Sequence, residues 1–361
     1  MSDYVDEQIA ALKDEDWAVR EDAASALGAS RDARAVAPLV ALLSDGDRAV
    51  RQAAIAALTA IGTAAVPALG ACLAAPDLNV QESAASILSG LADDRVLDPL
   101  RVSLGSPDWI VRMHAAKALG RIGDPGSVDL LMPLLQDKVK AVRVDAAQAL
   151  VAIGQPAVPH LLVALKHEEW VVRLHAVEAL GWLKSSESVE TLLWLLFNDQ
   201  DQAIREDAVR ALGEIGDARA VDFLFLAMKD VGLRHLAIEA LGKIGDRRAV
   251  PALVDVVTGV NRPADSRKID GCGDRWDTEM HAMEAAVRAL ALIREEATIP
   301  TLVGALQHTV VRAEAAAALV SFGPPAIPFL LGVLKQERDD NILFYAKDTL
   351  AQLGWRANRI Q

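Results

Sequence analysis

Apolar residues recur at helical spacing along almost the whole chain. Between Asp108 and Gly123, the residues Val111, Ala115 and Leu119 lie four positions apart and would fall on one face of a helix. Aspartate favours the beginning of a helix because its carboxylate accepts free backbone N–H groups, and glycine favours the end because a left-handed conformation costs it little. The pattern therefore predicts one α-helix between Asp108 and Gly123.

The same phrase, Asp-x-x-Val-Arg-x-x-Ala-Ala-x-Ala-Leu-Gly-x-Ile-Gly, recurs about every 30 residues, with one longer interval before Met283. A second apolar segment, often with proline in its first turn, precedes each phrase. We name the two predicted helices of each unit helix A and helix B, where helix B carries the phrase. Its arginine position is occupied in turn by Arg20, Arg51, Gln81, Arg112, Arg143, Arg173, Arg205, Arg234, Met283, Arg312 and Leu343.

One pair of helices cannot bury its own apolar face, so the units must stack on their neighbours. The sequence therefore predicts an all-α fold, an α-solenoid or superhelix of about eleven helix-pair repeats, with residues 1–361 forming a single domain. Glycines recur within helix B and would let neighbouring helices approach closely: Gly28, Gly120, Gly181, Gly213 and Gly242.

The phrase resembles the short HEAT-like repeats of the phycobilisome-lyase family, and the resemblance covers essentially the whole chain. It implies that the helix B row lines a concave surface and that the aspartate and arginine of the phrase pair between neighbouring units. Because that family includes bilin lyases, hydroxylases, chaperones and scaffolds, the resemblance specifies the fold more than the function. Gln81, Met283 and Leu343 depart from the arginine pattern, so we expect the packing to differ there.

The amino-acid composition and the net charge of the chain make some classes of function unfavourable. Apolar residues make up 52% of the 361 residues and aromatic residues only 4%, which suits a core of closely spaced alanine- and leucine-rich helices. The net charge of -13 counts against binding to nucleic acid or to anionic membranes. The two cysteines, Cys72 and Cys272, exclude a disulfide framework and a Cys-rich zinc site, so we expect a cytoplasmic protein.

Two uncharged stretches are long enough to suggest membrane spans, and the acidic N-terminus lacks the apolar core of a signal peptide. Residues 52–76 contain Gly62 and Pro67, and residues 315–334 contain the sequence Gly-Pro-Pro. Since the repeat alignment divides each stretch at these residues, we expect two helix pairs rather than two spans.

Helix B positions that vary between units indicate the ligand surface. The second position after the arginine alternates between histidine and aspartate at His114, Asp145, His175 and Asp207, about 10 Å apart if neighbouring helices pack normally. Hydrogen bonding between repeats and binding of a polar ligand both fit this row. A metal shared by His114 and His175 does not, because two helix spacings exceed the reach of two imidazoles.

An apolar patch is predicted beside this row on repeats four to six. It comprises Trp109, Met113, His114, Val144, Trp170, Leu174, His175 and Trp182, with Asp145, Asp207 and His235 nearby. An apolar patch rimmed by acidic residues is typical of a binding surface. The alternative is that the tryptophans only cover the edges of repeats, and Trp17, which holds the same position without the patch, favours it.

The long interval predicts an inserted loop at about 258–278. Arg262, Arg275 and Trp276 give it basic and aromatic character suited to contacting a partner, and Cys272 lies between two glycines. Cys272 and His281 are weak candidates for a nucleophile and base or for two soft metal ligands. The alternatives, a partner-binding loop and a ligand-contacting loop without chemistry, remain open.

The sequence predicts a non-catalytic protein-binding scaffold with no cofactor and no metal. Its partner, a protein and possibly a basic one, would occupy the concave helix B surface under the inserted loop. The alternative is a lyase-like or maturation factor that handles a tetrapyrrole or another cofactor for a client. A hydroxylase is less favoured, because such enzymes place His-Glu pairs after the repeat arginine, whereas here His167-Glu168 precedes its helix and His235 is followed by leucine.

Overall fold

The computed structural model describes residues 2–91, 93–259 and 273–355, and these residues form helices with no strand among them. Each repeat unit contributes one helix A, which has an odd number below, and one helix B, which has an even number. Within the described residues there are eleven such pairs. The predicted all-α solenoid of about eleven repeats is confirmed.

The chain divides into two compact units, Met1–Ala179 and Leu180–Gln361. The first contains α1 (Ser2–Ala11), α2 (Trp17–Ser30), α3 (Val36–Ala41), α4 (Arg48–Ile61), α5 (Val66–Cys72), α6 (Leu78–Leu91), α7 (Leu97–Ser103), α8 (Trp109–Ile122), α9 (Val128–Leu131), α10 (Lys140–Ile153) and α11 (Val158–Ala164). The boundary falls within α12 (Trp170–Trp182). The second contains α13 (Val189–Asn198), α14 (Gln202–Ile215), α15 (Val221–Ala227), α16 (Arg234–Ile244), α17 (Val250–Thr258), α18 (Gly273–Ile293), α19 (Ile299–Ala305), α20 (Arg312–Phe322), α21 (Ile327–Gln336) and α22 (Asp340–Gln352). The single domain over residues 1–361 stays a prediction.

The helices begin at aspartate and end at glycine, as the sequence predicted. The Asp108 side chain accepts a hydrogen bond from the N–H of Ile110 at 2.7 Å, and Asp16, Asp47 and Asp201 begin their helices in the same way. At the other end of α8, Gly123 has a φ of 74° and donates its N–H to Leu119. These caps satisfy backbone groups that a helix otherwise leaves free at its ends.

The helix B glycines allow close approach, as predicted. A Cβ atom added to Gly120 would lie 2.5 Å from the Cα of Ala149, a distance at which one of the two helices must shift. Gly28, Gly181, Gly213 and Gly242 face an alanine of the next helix B in the same manner. Small residues therefore set the spacing between adjacent repeats, and leucines fill the core between helices A and B.

The apolar stretch Arg48–Cys72 is long and apolar enough to cross a membrane, with a mean hydropathy of 1.8. In the structure it divides at Gly62, whose φ of 76° ends α4 before a turn leads into α5. The stretch Arg312–Phe322 plus Pro324–Gln336 bends by 120° at its break. Both stretches thus form helix pairs, as the repeat alignment predicted.

The predicted loop at 258–278 is shorter at its C-terminal end. The structure ends α17 at Thr258 and places residues 273–278 in α18, which is 21 residues long. Gly273 is the last glycine of the insertion, and the helix-compatible sequence after it begins with Asp274, an acidic residue that suits a first turn. Arg262 and Cys272 lie outside the described residues, as do the side chains of Arg275 and Trp276.

Candidate functional site

The repeat arginine binds the backbone of the turn between helix A and helix B. Arg112 Nη1 donates to the carbonyls of Ser106 at 2.8 Å and Pro107 at 3.0 Å, six and five residues earlier in the chain. Arg51, Arg143, Arg173 and Arg205 make the equivalent bonds. Gln81 also donates six residues back, to Ala75 at 2.5 Å. Gln81 therefore keeps one of the hydrogen bonds that the arginine makes in other repeats.

The repeat arginines Arg20 and Arg112 also form two-point ion pairs with an aspartate of the next repeat. Arg20 donates to Asp45 through Nε at 2.9 Å and Nη2 at 3.0 Å. The resemblance implied a pair with Asp47 of the phrase, and that expectation is wrong. The Asp47 carboxylate accepts the N–H of Ala49 to begin α4, so the aspartate two residues earlier receives the guanidinium. The Arg20 hydrogen bond lowers the pKa of Asp45.

Two tryptophans of the predicted patch are exposed at equivalent positions. Trp109 and Trp170 are the first residues of α8 and α12, and 41% and 49% of their surfaces are accessible. Trp17 begins α2 in the same way and is 48% exposed. Met113 and Leu174, one turn further along their helices, are half-buried, as is Val144. We name the set Trp109, Met113, Val144, Trp170 and Leu174 the tryptophan surface.

His114 and His175 differ in their hydrogen bonding because a different residue follows each of them one turn later in its helix. His175 is only 5% exposed, and its Nδ1 lies 2.8 Å from Oε2 of Glu178. The patch prediction placed His175 on the surface, and its burial corrects this. His114 has Lys117 at the corresponding position, and its buried Nδ1 has no hydrogen-bond partner among the described residues.

His114 and Asp145 influence each other across α8 and α10. Burial lowers the pKa of His114, as does the charge of Lys117, while Asp145 opposes both. Burial raises the pKa of Asp145, and Lys117 and His114 partly offset that rise. His114 and Asp145 therefore form a half-buried polar pair, and the exposed Trp109 begins the same helix α8, so this part of the surface can recognise a hydrogen-bonding ligand.

The remaining members of the predicted site belong to the second unit. Asp207 accepts a hydrogen bond from Arg210 on its own helix, and Trp182 is exposed. The rings of His235 and His281 lie 6.4 Å apart, centroid to centroid. Within the described ranges, no group of three or more potential ligands is placed to hold a metal ion. Cys72 is buried in α5, and this burial raises the pKa of its thiol.

A pocket that the sequence analysis missed lies among α15, α16, α17 and α18. Its volume is about 480 Å³. Its wall comprises Phe225, Met228, Lys229, Arg234, Arg248, Pro251, Ala252, Asp255, Val256, Gly259 and Glu279. Arg234 Nη1 donates to Oε1 of Glu279 at 2.8 Å, whereas its Nε is buried without a described acceptor. Five of these eleven residues belong to helices A, and the positions that vary within helix B do not indicate them.

Comparison with protein families matches HEAT repeats at residues 5–77, 66–151, 134–193, 158–231, 189–264 and 281–351. No curated protein matches the sequence. The match to HEAT repeats covers well over half of the chain and does not depend on the phycobilisome-lyase resemblance.

Among solved structures, the chain resembles the Kap95 molecule of a complex with Nup1, with a TM-score of 0.68 and 16% identity over 98% of this chain and 58% of that one. Yeast importin-beta (Kap95p) gives 0.64 and 16% over 97% and 57%. The chain thus spans less than two thirds of these proteins, and the likeness concerns the fold. The complex of CpcE and CpcF of phycocyanin lyase from Nostoc, at 26% identity over 62% of this chain and 92% of that one, has a TM-score of 0.35, so the narrower phycobilisome-lyase family is not confirmed.

Proposed function

The chain belongs to the HEAT-repeat family, and on that premise we propose that it is a non-catalytic scaffold that binds a partner protein. Stacked helix pairs expose one long surface made of equivalent positions from successive repeats, which suits an extended protein ligand. The observation that carries the proposal is the exposure of Trp109 and Trp170 at the same position of two helices in the first unit. Exposed tryptophans beside half-buried apolar residues are typical of binding surfaces.

Carboxylates next to the tryptophan surface favour a basic partner. Glu82 has its pKa raised by burial and by the charge of Asp108, the residue that precedes Trp109. Burial also raises the pKa of Asp145, although the charges of Lys117 and His114 partly offset that rise. Because the charges of Glu82 and Asp108 repel each other, a lysine or arginine of the partner would be stabilised beside them, and the net charge of -13 would accelerate its arrival.

In this proposal the tryptophan surface is part of the concave helix B face of the first unit. A cytoplasmic location remains part of the proposal, on the basis of the two cysteines. The maturation-factor alternative is not proposed, since none of the described contacts specifically favours a tetrapyrrole.

The test replaces Trp109 and Trp170 together by serine and measures proteins captured from native lysate by quantitative mass spectrometry. Removal of a tryptophan that dominates an interface costs about 2 kcal/mol or more, so the main partner should be lost from the double variant. Trp17→Ser is the matched control, because Trp17 has the same helix position and the same exposure without the neighbouring cluster.

Equal circular dichroism melting curves for wild type and variants would show that the fold is unaffected. Capture that falls as salt is raised from 50 to 500 mM would support a basic partner. Capture by the double variant equal to that of wild type would overturn the proposal.

A further inference from the structure

Four exposed apolar side chains of the second unit lie together on the helix A row. Trp194 and Phe197 are three residues apart on α13, and Phe223 and Leu226 are three residues apart on α15, so each pair shares one face of its helix. The rings of Phe197 and Phe223 lie 6.4 Å apart and join the two pairs into one surface. Between 42% and 59% of each residue is exposed. We name these four residues the aromatic surface.

The stacking of repeats does not account for these side chains. Trp194 and Leu226 are the sixth residues of their helices, and the sixth residue is alanine in α3 and α5, valine in α7 and α11, and glycine in α19 and α21. Smaller residues therefore suffice for the repeat fold at this position. Because large apolar side chains gain nothing from exposure to water, their concentration on two neighbouring helices indicates contact with another molecule.

The aromatic surface is separate from the pocket among α15, α16, α17 and α18. Phe225 lines that pocket and is two residues from Phe223, so the two side chains point about 160° apart around helix α15. The pocket contributes no residue to the aromatic surface, which consists of helix A side chains that face solvent.

The charged residues of α13 and α15 border this surface on one side. Each of the two helices carries one charged residue, Glu190 in α13 and Asp222 in α15, and both are acidic. Glu190 is four residues before Trp194, and Asp222 is four residues before Leu226, so each carboxylate lies one turn away on the same helix face. Their side chains are 87% and 76% exposed, which leaves both accessible to a partner.

Two arginines of the neighbouring turns neutralise these carboxylates only in part. Arg219 lies 3.8 Å from Glu190, and its closer bond, at 2.8 Å, is to the aspartate two residues before it. Arg248 lies 3.4 Å from Asp222 and is likewise bonded at 2.8 Å to the aspartate two residues before it. Each arginine is thus shared between two acids, so the edge of the aromatic surface keeps negative charge that a basic partner can use.

A helix fits both the dimensions and the charge of this surface. Neighbouring helices are about 10 Å apart, and two helical turns also span about 10 Å, so apolar residues at positions i, i+4 and i+7 of a crossing helix would reach from α13 to α15. A second copy of the chain fits less well. The aromatic surface offers on the order of 400 Å², about half of the ~800 Å² that each partner buries in a standard interface, and a second copy would bring another acidic edge.

We propose that the aromatic surface binds an amphipathic helix of a partner protein, with large apolar residues on one face and lysine or arginine along one flank. The apolar residues pack on Trp194, Phe197 and Phe223, and the basic flank faces Glu190 and Asp222. The aromatic surface shares no residue with the tryptophan surface and belongs to the other unit, so the two proposals can fail independently.

The experiment selects helical sixteen-residue peptides from a displayed library on the immobilised full chain and measures their affinities by fluorescence polarisation. Apolar residues at i, i+4 and i+7 with lysine or arginine on one flank are the expected result. Trp194→Ser combined with Phe223→Ser should weaken these peptides at least tenfold, because buried aromatic contacts dominate such interfaces. Glu190→Lys combined with Asp222→Lys should weaken them about tenfold at 50 mM salt and less at 500 mM.

The matched controls are equivalent residues of the first unit. Val102 is the exposed sixth residue of α7, so Val102→Ser should bind the peptides like wild type. Asp98 and Asp129 are exposed second residues of α7 and α9. Asp98→Lys combined with Asp129→Lys changes the net charge as much as the test variant does and should also bind like wild type. Equal circular dichroism melting curves show that the variants are folded.

Enrichment of no peptide would overturn the proposal, as would unchanged affinity for the variant that lacks Trp194 and Phe223. Peptides that depend on these two residues but are acidic, or that lack the helical spacing, contradict it as well. Peptides that lose affinity only for Trp109→Ser combined with Trp170→Ser belong to the tryptophan surface and leave the aromatic surface without a ligand. Sedimentation velocity tests the second copy: a dimer of the wild type that Trp194→Ser dissociates would replace the partner helix.

Discussion

Arg112 and Asp137 form a two-point ion pair between neighbouring repeats, with Nε to Oδ2 at 2.8 Å and Nη2 to Oδ1 at 3.0 Å. Asp137 is six residues before the next repeat arginine, Arg143, and its backbone carbonyl accepts a hydrogen bond from Arg143 Nη1 at 2.7 Å. One aspartate therefore joins two consecutive arginines. At the corresponding position before Arg173 stands His167, and Arg143 Nε is buried without a described acceptor.

His167→Asp should stabilise the protein. An aspartate there would accept from Arg143 Nε as Asp137 does from Arg112, and it would keep the bond that His167 Nδ1 accepts from the N–H of Glu169. Supplying a charged acceptor to a buried donor is worth about 1 kcal/mol or more. Urea unfolding followed by circular dichroism measures the gain.

His167→Ala is the control for this change, because it removes the ring without adding an acceptor, and it should not increase stability. A urea midpoint for His167→Asp equal to or below that of wild type would contradict the prediction.

Gly120→Ala should destabilise the protein by about 1–3 kcal/mol, since the new Cβ would lie 2.5 Å from the Cα of Ala149 and force α8 and α10 apart. Gly90→Ala in α6 is the matched control, because no atom lies within 4 Å of the Cβ it would add. Alanine favours helix over glycine, so the control should be stabilised by up to about 1 kcal/mol. Thermal melting compares the two, and equal shifts would show that the close approach is not limiting.

Asp45→Asn should cost stability at neutral pH and cost little in acid. The Arg20 hydrogen bond lowers the pKa of the Asp45 carboxyl in the folded protein, so its contribution is complete above the ordinary value near 3.9. This contribution is lost as the pH falls through the lower pKa of the folded protein, because the Asp45 carboxyl is then protonated in the folded and the unfolded state alike. Urea titrations from pH 7 down to pH 3 should show the difference between wild type and variant shrinking below about pH 4, and a constant difference would refute this account.

Lys117→Gln should raise the pKa of His114, and Asp145→Asn should lower it further. Burial is the largest cause of the lowered pKa of His114 and persists in both variants, so the two changes isolate the opposing charges. Heteronuclear NMR titration of the imidazole measures both shifts. A pKa that moves in the same direction in both variants would mean that the two charges do not face His114 as described.

The repeat fold could be predicted in detail because it depends on local signals. Aspartate at a helix start, glycine at its end and glycine opposite alanine each act within one repeat or on the next, so Asp108, Gly123 and Gly120 mark positions that the structure reproduces. The ion pairs were harder to assign. Asp45 and Asp47 are two residues apart, and only the geometry of the turn decides which one faces Arg20.

The candidate sites could be predicted only in part. Exposure of Trp109 and Trp170 follows from their position at a helix start, whereas the burial of His175 depends on Glu178 and on packing that repeat alignment does not show. The pocket has one signal in the sequence. Only four residues separate Lys229 from Arg234, at which α16 begins, but the bond between Arg234 and Glu279, 45 positions apart, does not follow from the repeat spacing.

The arginine bonds have a consequence for how the chain folds. They join residues five or six positions apart, and the ion pairs of these arginines reach only to the next repeat, 25 positions away for Arg112 and Asp137 and 45 for Arg234 and Glu279. Contacts of such short sequence separation give a low relative contact order, which is associated with rapid folding because little loop entropy is lost before native bonds form. Each repeat can therefore act as a nucleus, and structure can spread from it to its two neighbours.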